Sequence, residues 1–351
     1  MLLNLTHLPQ VWSFKDPSTP LIEVEGLSKR YAVGGSTVTA LDGVTLAVAA
    51  EETLAVVGES GSGKTTLGRL ILAIEVPTAG TVRFRGTALA PTMPKALRRR
   101  IQVVQQNPMS ALNPKRTIQA SVELPVRVHR LRPPERCRER AAELLDIVGL
   151  APEYLPRYPS ALSGGQRQRV AIARALAAEP DVIVLAEPTS ALDVSIQARV
   201  LSLLVELQQR FQLTYVFITH DLGIVRHLAS RVAVLYRGRL VETGATEAVF
   251  RTPRHRYTTM LLSSVPVVSA EEEGVKPSWP WERAGLDLGD RPSGGCAFAP
   301  RCPFALDICW SVAPPLTAVD PSQAVACHNP AQTVGDAGGS SEAPGRRLPA
   351  S

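Results

Sequence analysis

The stretch Gly58-Glu59-Ser60-Gly61-Ser62-Gly63-Lys64-Thr65-Thr66 meets every fixed position of the pattern G-x-x-x-x-G-K-[ST]. Its chemistry is phosphate capture. Glycines let successive backbone N–H groups turn toward one anion, and a following helix N-terminus adds partial positive charge. Lys64 is placed to reach outer phosphates, and the Thr65 hydroxyl to ligate Mg²⁺. Gly58, Ser60, Gly61, Ser62, Gly63, Lys64, Thr65 and Thr66 are therefore the predicted nucleotide-binding loop. Thr53–Val57 before it predicts a buried strand, and Leu67–Ile74 after it a helix. A plain Gly/Ser turn would not need Lys64-Thr65 between those flanks.

A second group with chemical potential lies near the C-terminus. Cys296, Cys302, Cys309 and Cys327 follow the spacing C-x5-C-x6-C-x17-C, and Cys137 stands apart from them. Beside a nucleotide loop, and with no basic leader or cleavage site at the N-terminus, such clustering points to metal before disulfides. No C-x2-C knuckle is present, which argues mildly against structural zinc. All-thiolate donors suit Zn²⁺ or an iron–sulfur cluster, while two disulfides or free thiols are the plainer alternatives. His328 could substitute as a ligand, although a surface histidine is the simpler reading. Cys137 reads as a packed or surface thiol.

Several elements must position these groups. Residues 1–20, with Pro9, Pro17 and Pro20, predict an irregular leader. From Leu21 the apolar residues alternate through Ile22 and Val24 to Leu27, the period of a half-buried strand, and Val44–Val48 and Val82–Phe84 alternate likewise. Between about 107 and 178 the period becomes helical, with Ala141, Leu144, Leu145 and Val148 at i, i+3, i+4 and i+7. The continuous apolar runs 181–185 and 215–218 predict strands buried on both faces of a parallel sheet, separated by a helix carrying Val200, Leu203, Leu204 and Leu207. A hairpin is predicted over 231–241. The fold class is therefore α/β, with an antiparallel β subdomain and a helical insertion. After about Val265 periodicity is lost, and a separate, small, irregular Cys-containing module is predicted over 266–330. Residues 331–351, rich in Gly, Ser, Ala and Pro, read as a disordered tail.

Composition narrows the function classes. With 351 residues, 45% of them hydrophobic, the chain can bury a substantial core, yet no run approaches the roughly 20 apolar residues of a membrane-spanning helix. A formal net charge of +6, without aromatic residues interleaved among the basic ones, does not indicate nucleic acid as a partner.

Taken together, the motifs resemble those of the ATP-binding cassette ATPases, P-loop NTPases whose nucleotide-binding domain would here span 21–265. Leu162-Ser163-Gly164-Gly165-Gln166 matches the family's signature sequence without a substitution. Gln106 matches its Q-loop glutamine, Glu187 its catalytic glutamate, Asp193 its D-loop, His220 its switch histidine, and Tyr31 the aromatic that stacks on adenine. The resemblance implies that Glu187, His220 and Gln106 serve ATP hydrolysis, with Thr65 and Gln106 on Mg²⁺. It also implies that Ser163, Gly164, Gly165 and Gln166 contact nucleotide held by an opposing cassette. A single phosphate loop then requires a second ATPase subunit, identical or homologous. One departure stands out. The family places Asp before the catalytic glutamate, and this chain has Ala186. An alanine methyl cannot accept a hydrogen bond from a metal-bound water, so a degenerate, mainly ATP-binding regulatory cassette is an alternative. A soluble cassette factor is less favoured, since those carry paired cassettes or long coiled coils.

The segment His255–Leu262, followed by Val265-Pro266 and the cysteine-bearing stretches, is similar to the C-terminal extension of oligopeptide and dipeptide importer ATPases. That resemblance implies peptide import, with nickel or glutathione as cargo in some relatives. It implies two integral membrane permease subunits, an extracytoplasmic peptide-binding protein, and a peripheral location on the cytoplasmic face of the membrane. Some relatives carry a [4Fe-4S] cluster, which the resemblance places on Cys296, Cys302, Cys309 and Cys327 in preference to Zn²⁺.

Overall fold

The computed structural model describes residues 20–190, 192–266, 276–281 and 294–331. The expected leader before Pro20, Ala191, and the expected tail after Ala331 lie outside the described residues. Strands β1 (Ile22–Val33) and β2 (Ser36–Val48) form a long antiparallel pair, turning at Gly34-Gly35, where φ is 56° and 83°. Strand β3 (Thr53–Val57) enters the phosphate loop, and helix α1 (Lys64–Ile71) leaves it. Strands β4 (Ala79–Phe84) and β5 (Thr87–Ala88) complete a four-stranded sheet in the order β2-β1-β4-β5. This is the antiparallel region that the alternating pattern predicts.

A short helix α2 (Lys95–Arg98) and strand β6 (Ile101–Val104) lead into the helical region. It contains α3 (Pro108–Ala111), α4 (Ile118–Val128), α5 (Cys137–Ile147) and α6 (Gly164–Leu176). Ala141, Leu144, Leu145 and Val148 are all fully buried, so the stripe read from the sequence is the face that α5 turns inward. Cys137 is a packed thiol at the start of that helix, its Sγ 3.5 Å from the Pro133 carbonyl. The chain returns through β7 (Val182–Ala186), α7 (Val194–Phe211), β8 (Thr214–Ile218), α8 (Leu222–Leu228), β9 (Arg231–Tyr236) and β10 (Arg239–Ala245).

The central sheet is buried on both faces, and alternate residues divide between two cores. Ile183, Leu185, Tyr215 and Phe217 pack toward the helical region, whereas Val182, Val184, Val216 and Ile218 pack toward α1 and the antiparallel sheet. Each such side chain contributes about 1.5–3 kcal/mol of burial. That explains why these strands read as unbroken apolar runs.

The C-terminal region departs from the expected separate, irregular module. After α9 (Thr246–Arg251), α10 (Arg256–Ser263) and the short α11 (Ile308–Ser311), two strands, β11 (Thr317–Asp320) and β12 (Gln323–Val325), extend the central sheet. The eight-stranded order is β11-β12-β10-β9-β3-β8-β7-β6, with β12 antiparallel to β10. Loss of periodicity hid this, because three- and four-residue strands are too short to show a period of two. A third core joins the extension to the sheet, with Phe298 and Trp279 packed among Tyr236, Tyr257 and Met260.

Glu242 holds this joint. Its carboxylate is completely buried, and it accepts hydrogen bonds from the backbone N–H groups of Arg254 (2.7 Å) and His255 (2.9 Å) and from Gln323 Nε2 (2.6 Å). One side chain of β10 thus satisfies the entry to α10 and the start of β12. Burial raises the Glu242 pKa, with those hydrogen bonds acting against the rise. Glu242→Leu leaves the Arg254 and His255 N–H groups without their acceptor and is expected to lower unfolding stability by about 3 kcal/mol, measured by denaturant titration.

Candidate nucleotide site

Parallel pairing collects the chemical residues. Val56 pairs with Ile218, Ile218 with Ala186, and Leu185 with Val104, so β3, β8, β7 and β6 end level with one another. Immediately beyond these ends come Gly58, His220, Glu187 and Gln106. This C-terminal edge is where open α/β sheets bind ligands.

The loop itself depends on two glycines. Gly58 has φ 149°, and a Cβ there would meet the Leu235 carbonyl oxygen at 2.2 Å. Gly63 has φ 104°, and a Cβ would meet the Ala40 carbonyl oxygen at 2.5 Å. No L-residue fits either place without moving the backbone. Gly63 directly precedes α1, while Ser62 accepts from the Gly238 N–H at 2.9 Å, pinning the loop to the β9–β10 turn. Lys64 is buried, and its Nζ donates to the Gly58 (2.7 Å) and Glu59 (2.8 Å) carbonyls. Burial pulls the Lys64 ammonium below the ordinary lysine range, while Glu187 and Glu59 nearby help to retain its proton. Thr65 lies exposed in the first turn of α1, and Thr66 is half-buried.

Opposite the loop, the Glu187 carboxylate bridges two strand ends. Gln106 Nε2 donates to Oε2 at 3.0 Å, and His220 Nδ1 lies 3.2 Å from Oε1. Glu187 has φ 46°, an uncommon conformation for a non-glycine residue. Such strain persists only where surrounding contacts enforce it. Here the Glu187 N–H is tied to the Ile218 carbonyl at 2.9 Å, and its own carbonyl accepts from Ser190 Oγ at 3.2 Å. Its side chain keeps 22% of its exposure and that of His220 60%, so the carboxylate is open to water and to a ligand. Asp221 caps α8 by accepting from the Gly223 and Ile224 N–H groups, which fixes the segment carrying His220.

Tyr31 lies beside the loop. Its hydroxyl donates to Glu75 and interacts with Thr66, and Lys29 Nζ sits 5.0 Å from the ring centroid. Thr65, Gln106 and Glu187 place oxygen donors at this edge, a hard set that fits Mg²⁺, although Ala186 adds none. The signature residues stand elsewhere, at the N-terminus of α6. Ser163 and Gln166 form a reciprocal capping box, with Gln166 N–H to Ser163 Oγ at 3.3 Å and Ser163 N–H to Gln166 Oε1 at 2.9 Å. Gly165 is a packing glycine, since a Cβ there would lie 2.5 Å from Ile196 Cγ2 on α7, and Gly164 faces Leu192. Asp193 caps α7 by accepting from the Ile196 N–H at 3.1 Å, and it accepts from Ser195 Oγ at 2.9 Å.

The C-terminal cysteines are brought together. Cys302, Cys309 and Cys327 each lie close enough to Cys296 to interact electrostatically. All four are free thiols. Burial raises the Cys296 and Cys327 thiols and pushes Cys302 up to about 12. Among the described residues, no three His, Cys, Asp or Glu side chains are arranged to hold a metal ion. The expected [4Fe-4S] or Zn²⁺ site therefore finds no support in this arrangement. His328 Nε2 lies 3.0 Å from the Val312 carbonyl, turned to backbone rather than to the thiols. Two residues of the C-terminal extension to which the sequence assigns no role at the loop, Tyr257 and Arg301, contact Glu59 of the phosphate loop.

A phosphate loop level with a Gln–Glu–His group, next to a helical insertion headed by Ser-Gly-Gly-Gln, defines an ATP-binding cassette. Comparisons with known proteins agree. Residues 41–190 match the ABC transporter family, and residues 241–309 match the oligopeptide/dipeptide transporter C-terminal region. The di/tripeptide transport ATP-binding protein DppF of Pseudomonas aeruginosa is 42% identical over 90% of this chain and 99% of its own length. The dipeptide transport ATP-binding protein DppF of Haemophilus influenzae is 44% identical over 89% of this chain and 97% of its own. Among solved structures, cbiO1 from Clostridium perfringens, described as part of the ABC transporter complex cbiONQ, matches with a TM-score of 0.60 at 30% identity, covering 66% of this chain and 91% of that one. The cassette MJ0796, in a dimeric post-hydrolysis state bound to ADP and Pi, matches with a TM-score of 0.58 at 32% identity, over 64% of this chain and 98% of that one. The chain belongs to the ABC transporter ATP-binding proteins that carry the oligopeptide/dipeptide C-terminal region.

The glycine geometry carries a direct test. Gly63→Ala forces a methyl against the Ala40 carbonyl at a left-handed position and is expected to weaken ATP binding by at least about tenfold, measured by nucleotide titration.

Proposed function

We propose that this chain is the ATP-hydrolysing subunit that energises import of peptides across the cytoplasmic membrane. The observation that carries the reading is the union, in one chain, of the Gln106–Glu187–His220 edge with the C-terminal region matched over 241–309. The relatives' names as di/tripeptide and dipeptide transport ATP-binding proteins support peptides as cargo. Among the described residues no helix is long and apolar enough to cross a membrane. Two integral permeases, a second cassette and an extracytoplasmic peptide-binding protein complete the assembly in this reading, with the present chain peripheral on the cytoplasmic face.

Phosphoryl transfer to water requires positioning and charge neutralisation more than covalent chemistry. The backbone of Gly58–Thr66 and the Lys64 ammonium receive the β- and γ-phosphates, and Tyr31 offers its ring to adenine. Thr65 and Gln106 would hold Mg²⁺, which neutralises phosphate charge when bound. Glu187 orients the attacking water and takes up its proton, held in place by Gln106 and His220. Ser163, Gly164, Gly165 and Gln166, with Asp193, face the nucleotide of the second cassette across the closed dimer. The non-hydrolytic alternative suggested by Ala186 gains nothing from the relatives, which are named for transport.

Glu187→Gln keeps the hydrogen-bonding shape and removes the base. With the permeases in proteoliposomes, it is expected to lower ATP turnover about 100-fold or more while ATP binding persists. Wild-type ATPase unaffected by permeases or peptide-loaded binding protein would overturn the transport reading. For Cys296, Cys302, Cys309 and Cys327, which are free cysteines, a [4Fe-4S] cluster or Zn²⁺ rests on family resemblance. Brown, iron-bearing protein from an anaerobic preparation is the outcome expected of the cluster; a colourless preparation lacking iron rules it out.

A further inference from the structure

Glu59 occupies a variable position of the phosphate loop, yet all three of its polar functions are engaged. Its carbonyl accepts from Lys64 Nζ at 2.8 Å. Its N–H donates to Tyr257 Oη at 2.8 Å. Its carboxylate receives a two-pronged contact from Arg301, with Nη1 to Oε2 at 2.8 Å and Nη2 to Oε1 at 3.0 Å. The first partner belongs to the loop. The other two come from the C-terminal segment, 198 and 242 residues away along the chain.

Both distant partners are held rigidly. Tyr257 is fully buried, its ring 4.5 Å from Tyr236 and 5.5 Å from Phe298 between centroids. The Arg301 guanidinium lies 5.9 Å from the Tyr236 ring and 5.8 Å from the Phe298 ring, and its Nη2 is 3.6 Å from Met260 Sδ. Its backbone N–H donates to the Phe298 carbonyl at 3.0 Å. The Arg301 side chain is 18% exposed and that of Glu59 40%. A planar guanidinium with two parallel bonds fixes the geometry of a carboxylate as a point charge cannot.

The charge arithmetic is the core of the matter. The loop is shaped to receive a polyanion, and Lys64 is the cation buried within it. An unpaired carboxylate at Glu59 would oppose the phosphates and compete for Lys64. We infer that Arg301 is a positioning residue for ATP binding: it cancels the Glu59 charge and, with Tyr257, fixes the loop in its phosphate-receiving shape. The C-terminal extension is then a working wall of the nucleotide site. This inference rests on the loop binding ATP.

The test is titration of the full-length chain with MgATP at low and high salt. Arg301→Met is expected to raise the ATP Kd about five- to tenfold at low salt, with a smaller penalty at high salt, because a partly exposed charge is screened. Adding Glu59→Gln to Arg301→Met recovers most of the loss, which a purely architectural role for Arg301 would not allow. Unchanged affinity in Arg301→Met, or a loss that Glu59→Gln does not relieve, overturns the inference. Should Arg301→Met fail to fold, Arg301→Lys carries the test. It keeps the charge but loses the fork, and is expected to raise Kd two- to threefold; affinity equal to wild type would overturn the proposal. Failure of wild-type protein to bind MgATP would instead sink the nucleotide-site reading itself, so the two failures are distinct.

Discussion

Parallel strands cannot be joined by tight turns, and that constraint organises the whole molecule. Each of β3, β6, β7 and β8 must be followed by a crossover that returns the chain to the opposite edge before the next parallel strand begins. All four therefore release their next residues at the same edge. Gly58, Gln106, Glu187 and His220 lie far apart in sequence but meet there because register and direction leave no other place. The left-handed backbone of Glu187 follows from the same geometry. The chain must leave β7 while its N–H is still committed to Ile218, and the turn is absorbed in one residue. The site is thus a property of sheet topology first and of side chains second.

Much of this was legible because it is written in local patterns. The phosphate loop announces itself through glycines needed where a Cβ would strike the Leu235 or Ala40 carbonyls. Strands β7 and β8 show as unbroken apolar runs because both faces are buried, and the stripe on α5 shows because one face is. The signature Ser163–Gln166 was legible as a motif, but its local cause was not anticipated. Ser163 and Gln166 cap one helix, and Gly165 lets that helix touch α7.

What escaped the sequence reading was non-local. Glu242 sits on a strand of mixed pattern, and nothing in its neighbours signals that Arg254, His255 and Gln323 will converge on it. β11 and β12 are too short to show a period, so a region that completes the central sheet read as irregular. The cysteine spacing suggested a shared ligand set, but spacing does not fix the orientation of Sγ atoms. The pairing of Glu59 with Arg301 links two positions whose roles neither local context reveals.

The placement of β12 also bears on how the chain is made. Synthesis runs from the N-terminus, at about 5–20 residues per second. The sheet cannot be closed on its β10 side until residues 323–325 have left the ribosome. During that interval β10 presents unpaired backbone groups along an open edge, the kind of edge that recruits other strands. Glu242 then lacks Gln323, although it can already be met by the N–H groups that open α10. The strand that completes the central sheet is therefore among the last parts of it to be made.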